Sequence, residues 1–290
     1  MGLPSHAARA ALYYCRLRMA TPSDTAIGDY WAREGLGRAI LDALAAAGKN
    51  LDALTIDDLA PTDQFHGGGK DATLRLARLA GLTPGLRVLD VGGGLGGPAR
   101  TLAVEFGCRV TTIDLTESYV RAAELLTARL GLGAQVTHQV GNALALPFDD
   151  GAFDVVWTQN SGMNIADKAR LYAGFHRVLR AGGLLATQEP MAGPVQPIIY
   201  PVMWARDAAS SFLRPPAEMR ALIEAAGFRA RAWDDVTAEM AGTTDPAAIP
   251  AHSAQRLIMG ERLEEIIRAG HRNRGEGRIV LGQAIFEAVR

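Results

Sequence analysis

The chain has 290 residues, 48% of them hydrophobic, and a formal net charge of −1. This is enough apolar material for a buried core in one large domain, and the near-zero charge leaves no basic field to hold nucleic acid. No apolar run reaches the roughly 20 residues that a bilayer span needs, and Cys15 and Cys108 are too few for a disulfide scaffold or a zinc site, which fits a reducing cytoplasm.

At the N-terminus Arg9, Arg16 and Arg18 occur with no acid before Asp24. A transit peptide has this character. The plainer expectation is a disordered extension over residues 1–25, ahead of a start at Met19. Ile27 to Ala47 is Ala- and Leu-rich and reads as one helix closed by Gly48. Leu51 to Asp63 is short and acidic. In Asp63 to Gly81 three glycines make a turn, and Asp71 is placed to cap the helix that follows. From Leu86 strands and helices alternate: strands at Arg87–Val91, Arg109–Asp114, Gln135–Val140, Phe153–Thr158 and Leu184–Gln188, with helices at Pro98–Glu105, Glu117–Leu130 (capped by Thr116) and Asp167–Leu179. That alternation predicts an α/β fold, a doubly wound and mostly parallel sheet covered on both faces. After Glu189 the prolines Pro190, Pro194, Pro197 and Pro201 interrupt regular structure. A helix at Ala217–Ala226, a strand at Phe228–Trp233 and a final strand at Arg278–Val289 follow. The expected organisation is a single domain over residues 26–290: an N-terminal helical lid (26–81), a core (82–194), and two insertions (195–215 and 237–273) forming a cap.

The chemistry concentrates in VLDVGGGLGG, Val88 to Gly97. An apolar strand runs into a glycine loop that opens a helix, the arrangement that cradles a small ligand at the edge of a parallel sheet. Gly92, Gly94 and Gly96 let backbone approach the ligand with no Cβ in the way. Gly92, Gly94 and Gly97 also satisfy the dinucleotide pattern, so an NAD(P)-dependent oxidoreductase stands as the alternative. Asp90 favours a cationic ligand, such as S-adenosylmethionine, over a phosphate-bearing one. Asp114 ends the second strand, where a carboxylate can accept hydrogen bonds from both ribose hydroxyls of either ligand.

Downstream, GNALALPFDDGAFDVV (Gly141 to Val156) and VLRAGGLLATQEP (Val178 to Pro190) join the glycine loop in a combined pattern. With these three segments the chain resembles the class I S-adenosylmethionine-dependent methyltransferases from about Asp63 onward, most of all the ubiquinone/menaquinone C-methyltransferase-like and sarcosine/dimethylglycine N-methyltransferase-like members. The resemblance implies a Rossmann-like sheet, S-adenosylmethionine as cofactor and a small-molecule methyl acceptor, in a monomer or homodimer. It implies that Asp114 holds the ribose, that Leu115 packs on adenine beside Ala143, and that Asn142 accepts from the adenine amino group. Gln159 and Asn160 would lie under the methionine portion and face the acceptor, and Glu189 would meet substrate. Asp63-Gln64-Phe65-His66 looks like the family's lid. Gln64 is placed as a substrate contact and His66 as a general base, titrating near 6.5 if unperturbed. The arginine that relatives use for the methionine carboxylate is missing there, with Lys70 nearby instead. Tyr200 and Trp204 in the first insertion, with Met203, Phe212, Met240 and Met259, point to a partly apolar acceptor. A further alternative is a member of the same fold that binds S-adenosylmethionine without transferring its methyl group.

Overall fold

The computed structural model describes residues 22–239, 247 and 249–290. The basic N-terminal stretch, Cys15, Met19 and Met240 lie outside the described residues. Seven strands form one sheet in the order β3-β2-β1-β4-β5-β7-β6. They are β1 (Arg87–Val91), β2 (Arg109–Asp114), β3 (Val136–Val140), β4 (Phe153–Gln159), β5 (Leu179–Ala192), β6 (Phe228–Asp235) and β7 (Ile279–Ala288). The first five run parallel, and β7 is inserted antiparallel between β5 and β6. The sheet is therefore mostly parallel, as the alternation implies.

Strand alternation sorts side chains to two cores. Leu89, Val91, Val156, Leu185 and Phe286 pack with helices Lys168–Val178 and Pro216–Ala225 on one face. Val88, Val155, Trp157, Ala186 and Ile285 pack with helices Gly69–Leu79 and Gly97–Phe106 on the other. Fully burying each Leu, Val, Ile or Phe among them contributes about 1.5–3 kcal/mol. A third cluster joins helix Leu36–Ala46, helix Glu117–Arg129 and the late helices Ala254–Met259 and Leu263–Gly275. Gly37 permits that packing, because a Cβ there would come within 3.0 Å of Leu125.

Several local expectations are corrected. The helix expected over Ile27–Ala47 is two, Pro22–Trp31 and Leu36–Ala46, broken where Gly35 takes φ 70°. Gly68, not Asp71, is the N-cap of helix Gly69–Leu79; Asp71 sits in its first turn, where an acid still favours the dipole. Thr116 occupies the N-cap position of its helix, but its side chain makes no capping bond. Gly182 and Gly183 fall inside β5 instead of before it, so that strand is longer than Leu184–Gln188. No described helix is long and apolar enough to cross a membrane.

Candidate active site

The carboxyl ends of β1, β2 and β4 open into a cavity of about 400 Å³, within the usual range for small-molecule sites. Its floor is the glycine loop. The N–H of Gly92 donates to the Ile113 carbonyl at 2.8 Å, and that of Gly94 donates to Asp114 Oδ2 at 2.9 Å. At Gly92, with φ +74°, a Cβ would stand 2.3 Å from the Ser161 side chain. At Gly94, with φ +52°, it would meet only Tyr119, 4.0 Å away, and would project into the cavity. Both positions need the left-handed backbone that glycine adopts freely.

Asp114 also accepts the Thr116 N–H at 2.8 Å through Oδ1. Each carboxylate oxygen thus keeps a lone pair for a diol, while burial raises its carboxyl above the usual range. Leu115, Asn142, Ala143, Gln159 and Asn160 line the same cavity. The Asn142 oxygen already accepts the Leu144 N–H at 2.8 Å. Asn160 has φ 54°, the one positive-φ non-glycine residue among those described; such a backbone persists where the surroundings enforce it, often at sites.

Other expected contacts lie behind the cavity wall. Asp90 is buried beneath the loop, and burial, with Asp114 close by, pushes its carboxyl up to about 7. A Cβ on Gly96 would meet Arg100 and His138 rather than a ligand. Gln64 donates to Thr101 at 2.9 Å and accepts from Thr73 at 3.1 Å. Glu189 is turned toward the backbone at Ser161 and Gly162. Tyr200 packs beside Trp204 without reaching the cavity. Lys70 pairs with Asp57 and Glu105 at the surface. The cation lining the cavity is instead Arg170, alone in this among the described residues.

His66 lines the cavity, its Nε2 3.0 Å from Gln64 Oε1 and its Nδ1 3.3 Å from the Gly67 carbonyl. Burial pushes the imidazole down to about 4, so it is neutral at pH 7 and the inflection expected near 6.5 moves acidward. A neutral ring donates to one of these two acceptors; an imidazolium would satisfy both. Below it, Trp157 donates to Gln159 Oε1 at 2.9 Å, and the Thr73 hydroxyl lies 3.0 Å from the same oxygen.

The roof comes from three distant segments. Trp31 stacks edge-on against Phe65 at 5.8 Å. Met203 and Trp204 enter from the stretch after β5 and Ile258 from helix Ala254–Met259. They are tied together: Tyr30 donates to the Met203 carbonyl at 3.1 Å, Arg33 to that of Ile258, and Asn164 to that of Trp204 at 3.0 Å. Sequence reading missed Tyr119, Ser161, Met163 and Asn164, all of which line the cavity. Only the aromatic Tyr119, one turn beyond Asp114, carried any signal.

Residues 89–187 match the methyltransferase domain family. Over 132 residues the chain is 34% identical to a glycine/sarcosine/dimethylglycine N-methyltransferase of Actinopolyspora halophila, covering 46% of this chain and 23% of that one. Over 108 residues it is 40% identical to a 2-methyl-6-phytyl-1,4-hydroquinone methyltransferase of Synechocystis sp., covering 37% and 33%. The matched stretch thus spans a third or less of those two proteins. The fold superposes on the crystal structure of the cyclase SpnF with a TM-score of 0.67 at 21% identity, covering 88% of this chain and 93% of that one.

Proposed function

We propose that the chain is a class I S-adenosylmethionine-dependent methyltransferase that transfers the cofactor's methyl group to a neutral, partly apolar small molecule. The observation that carries the cofactor assignment is the pairing of the glycine floor with Asp114. Gly94 leaves its side open to the cavity while its N–H orients the carboxylate that would take the ribose diol. Asn142 and Leu115 would hold the adenine, and Gln159 would lie under the methionine portion.

Methyl transfer from a sulfonium is an in-line displacement. The bond from methyl carbon to sulfur breaks as the bond to the acceptor forms, and sulfur leaves as a neutral thioether that needs no acid. The protein's task is to align the acceptor and exclude water. Trp31, Phe65, Met163, Met203, Trp204 and Ile258 give the acceptor side an apolar wall. Asn160 and Asn164 supply neutral polar contacts, and Trp204 is the proposed side-chain contact from the cap. With Arg170 the sole lining cation among the described residues, a carboxylate or phosphate on the acceptor would find little to neutralise it. For a hydroxyl or amine acceptor, His66 would take the proton after turning one nitrogen from its protein partner. A carbon nucleophile or preformed anion would need no base.

Transfer of labelled methyl from S-adenosylmethionine across a metabolite panel, with calorimetry of S-adenosylhomocysteine and NAD, tests the reading. Binding of NAD in preference to the adenosyl ligand would refute it. The likeness to a cyclase fold keeps one second reading in play: cofactor binding with no label transferred to any acceptor would favour a non-methylating role.

A further inference from the structure

Two buried charges grip the turn at residues 161–165, and the transfer scheme uses neither. Glu189 in β5 is 4% exposed; its Oε1 accepts the N–H of Gly162 at 2.8 Å and that of Ser161 at 3.3 Å. Lys168 is 3% exposed; its Nζ donates to the carbonyl of Gly162 and, at 2.7 Å, to that of Ile165. A carboxyl group therefore holds the turn by its N–H groups and an ammonium holds it by its carbonyls.

The lysine stands where a cation is least welcome. It opens helix Lys168–Val178, at the positive end of the dipole. Burial, with Arg214 adding to it and Glu189 opposing, pushes the ammonium down to about 8. A charge kept there despite desolvation is compensated by the two carbonyls it holds. Gly162 gives the device room: a Cβ there would come within 3.0 Å of Glu189 Oε1 and 3.1 Å of its carboxyl carbon, so a larger residue would make the carboxyl group shift away from the turn. The gripped turn carries Met163, Asn164 and Ile165 into the cavity, and Asn164 passes its two N–H groups to the carbonyls of Trp204 and Ser210.

We propose that Lys168 and Glu189 are a positioning pair. By fixing this turn they set the wall against which the methyl acceptor is aligned, without touching the cofactor. The inference rests on the proposed function only in placing the acceptor at that wall.

The test uses the full chain loaded with S-adenosylhomocysteine. In Lys168→Met and Glu189→Leu, amides 161–165 should exchange hydrogen at least tenfold faster, while peptides at Gly92–Leu95 and Asp114–Thr116 stay unchanged and cofactor affinity stays within twofold. With methylhydroquinone as the acceptor probe, KM should rise at least fivefold, and Lys168→Arg should restore most of it. Unchanged exchange at 161–165, or cofactor affinity lost in step with the loosening, overturns the proposal. If Lys168→Met does not fold, Gly162→Ala makes the same comparison, since its Cβ crowds Glu189 Oε1 and lengthens its bonds to the turn while leaving both side chains in place. A wild-type protein that binds S-adenosylhomocysteine but methylates nothing counts against the proposed function; the exchange comparison still decides this one.

Discussion

Replacing Asp114 by alanine tests the cofactor site most directly. The carboxylate accepts N–H groups from Gly94 and Thr116 at 2.9 and 2.8 Å, so the two remaining lone pairs are what it offers a ribose diol. Hydrogen bonds to a charged acceptor are worth about 1.5–3 kcal/mol each. Because this acceptor is already shared, the lower figure applies, and two bonds sum to about 3 kcal/mol, or roughly a hundredfold in affinity. Asp114→Ala should also leave two loop N–H groups without their acceptor and lower stability by about 2 kcal/mol. Asp114→Asn, which keeps one acceptor oxygen, should fall between. Burial raises this carboxyl above the usual range, so wild-type affinity should fall as pH drops through that raised value, and the asparagine variant should lose this dependence. Calorimetry with S-adenosylhomocysteine measures all three. Affinity in folded Asp114→Ala within twofold of wild type would refute the ribose assignment, and with it the use of the glycine floor.

Gly94→Val should weaken S-adenosylhomocysteine binding more than tenfold in calorimetry while the protein stays folded, since its side chain points into the cavity and the positive φ costs only about 1–2 kcal/mol. Trp204→Ala should raise the acceptor KM and leave cofactor affinity within a few-fold. The ring is only 8% exposed and bonded to Ser211, so the melting temperature should fall as well, and equal losses for both ligands would make it core alone. With a hydroxyl or amine acceptor, His66→Ala should lower kcat by about 10²–10⁴ and keep cofactor affinity. Since the imidazole titrates at about 4, the wild-type rate should show no histidine inflection between pH 5 and 8; a midpoint near 6.5 that vanishes in the variant would contradict the burial argument.

The legible parts of this site are those whose residues are neighbours in the chain. The glycine loop and Asp114 follow from strand, turn and helix signals within a few positions, and the first four core strands emerge within a residue of their observed ends, while β5 extends past Leu184–Gln188 on both sides. What failed was the direction in which a side chain points. Asp90 and Gly96 belong to the right loop but face its underside, toward Asp114 and Arg100 respectively. Gln64 and His66 are two residues apart, yet Gln64 turns to Thr101 and His66 to the cavity. Glu189 ends up against the backbone because a glycine on a different element leaves room for it. The break before Gly35 was missed because Ala and Leu propensity runs through it; the tertiary need to lay Trp31 on the cavity and Leu36–Ala46 on helix Glu117–Arg129 decided it. Lys168 carried no pattern, since its meaning lies in carbonyls gathered by folding.

A displacement that needs no acid leaves distance and angle as the quantities the protein must control. Near-attack geometry places reacting atoms about 3–3.5 Å apart, and a misplacement of about 1 Å can cost a hundredfold. The floor that would fix the sulfonium is short-range: Gly94 and Asp114 are bonded to each other. The wall that would fix the acceptor is assembled from helix Pro22–Trp31, the stretch after β5, helix Ala254–Met259 and the turn after β4, through single hydrogen bonds such as Tyr30 to Met203 and Asn164 to Trp204. A substitution in the floor should therefore act on every acceptor alike. One in the wall should redistribute rates among acceptors, because it moves the nucleophile relative to a methyl group that has not moved. This difference in pattern across a panel separates the two halves of the site more sharply than the size of any single loss.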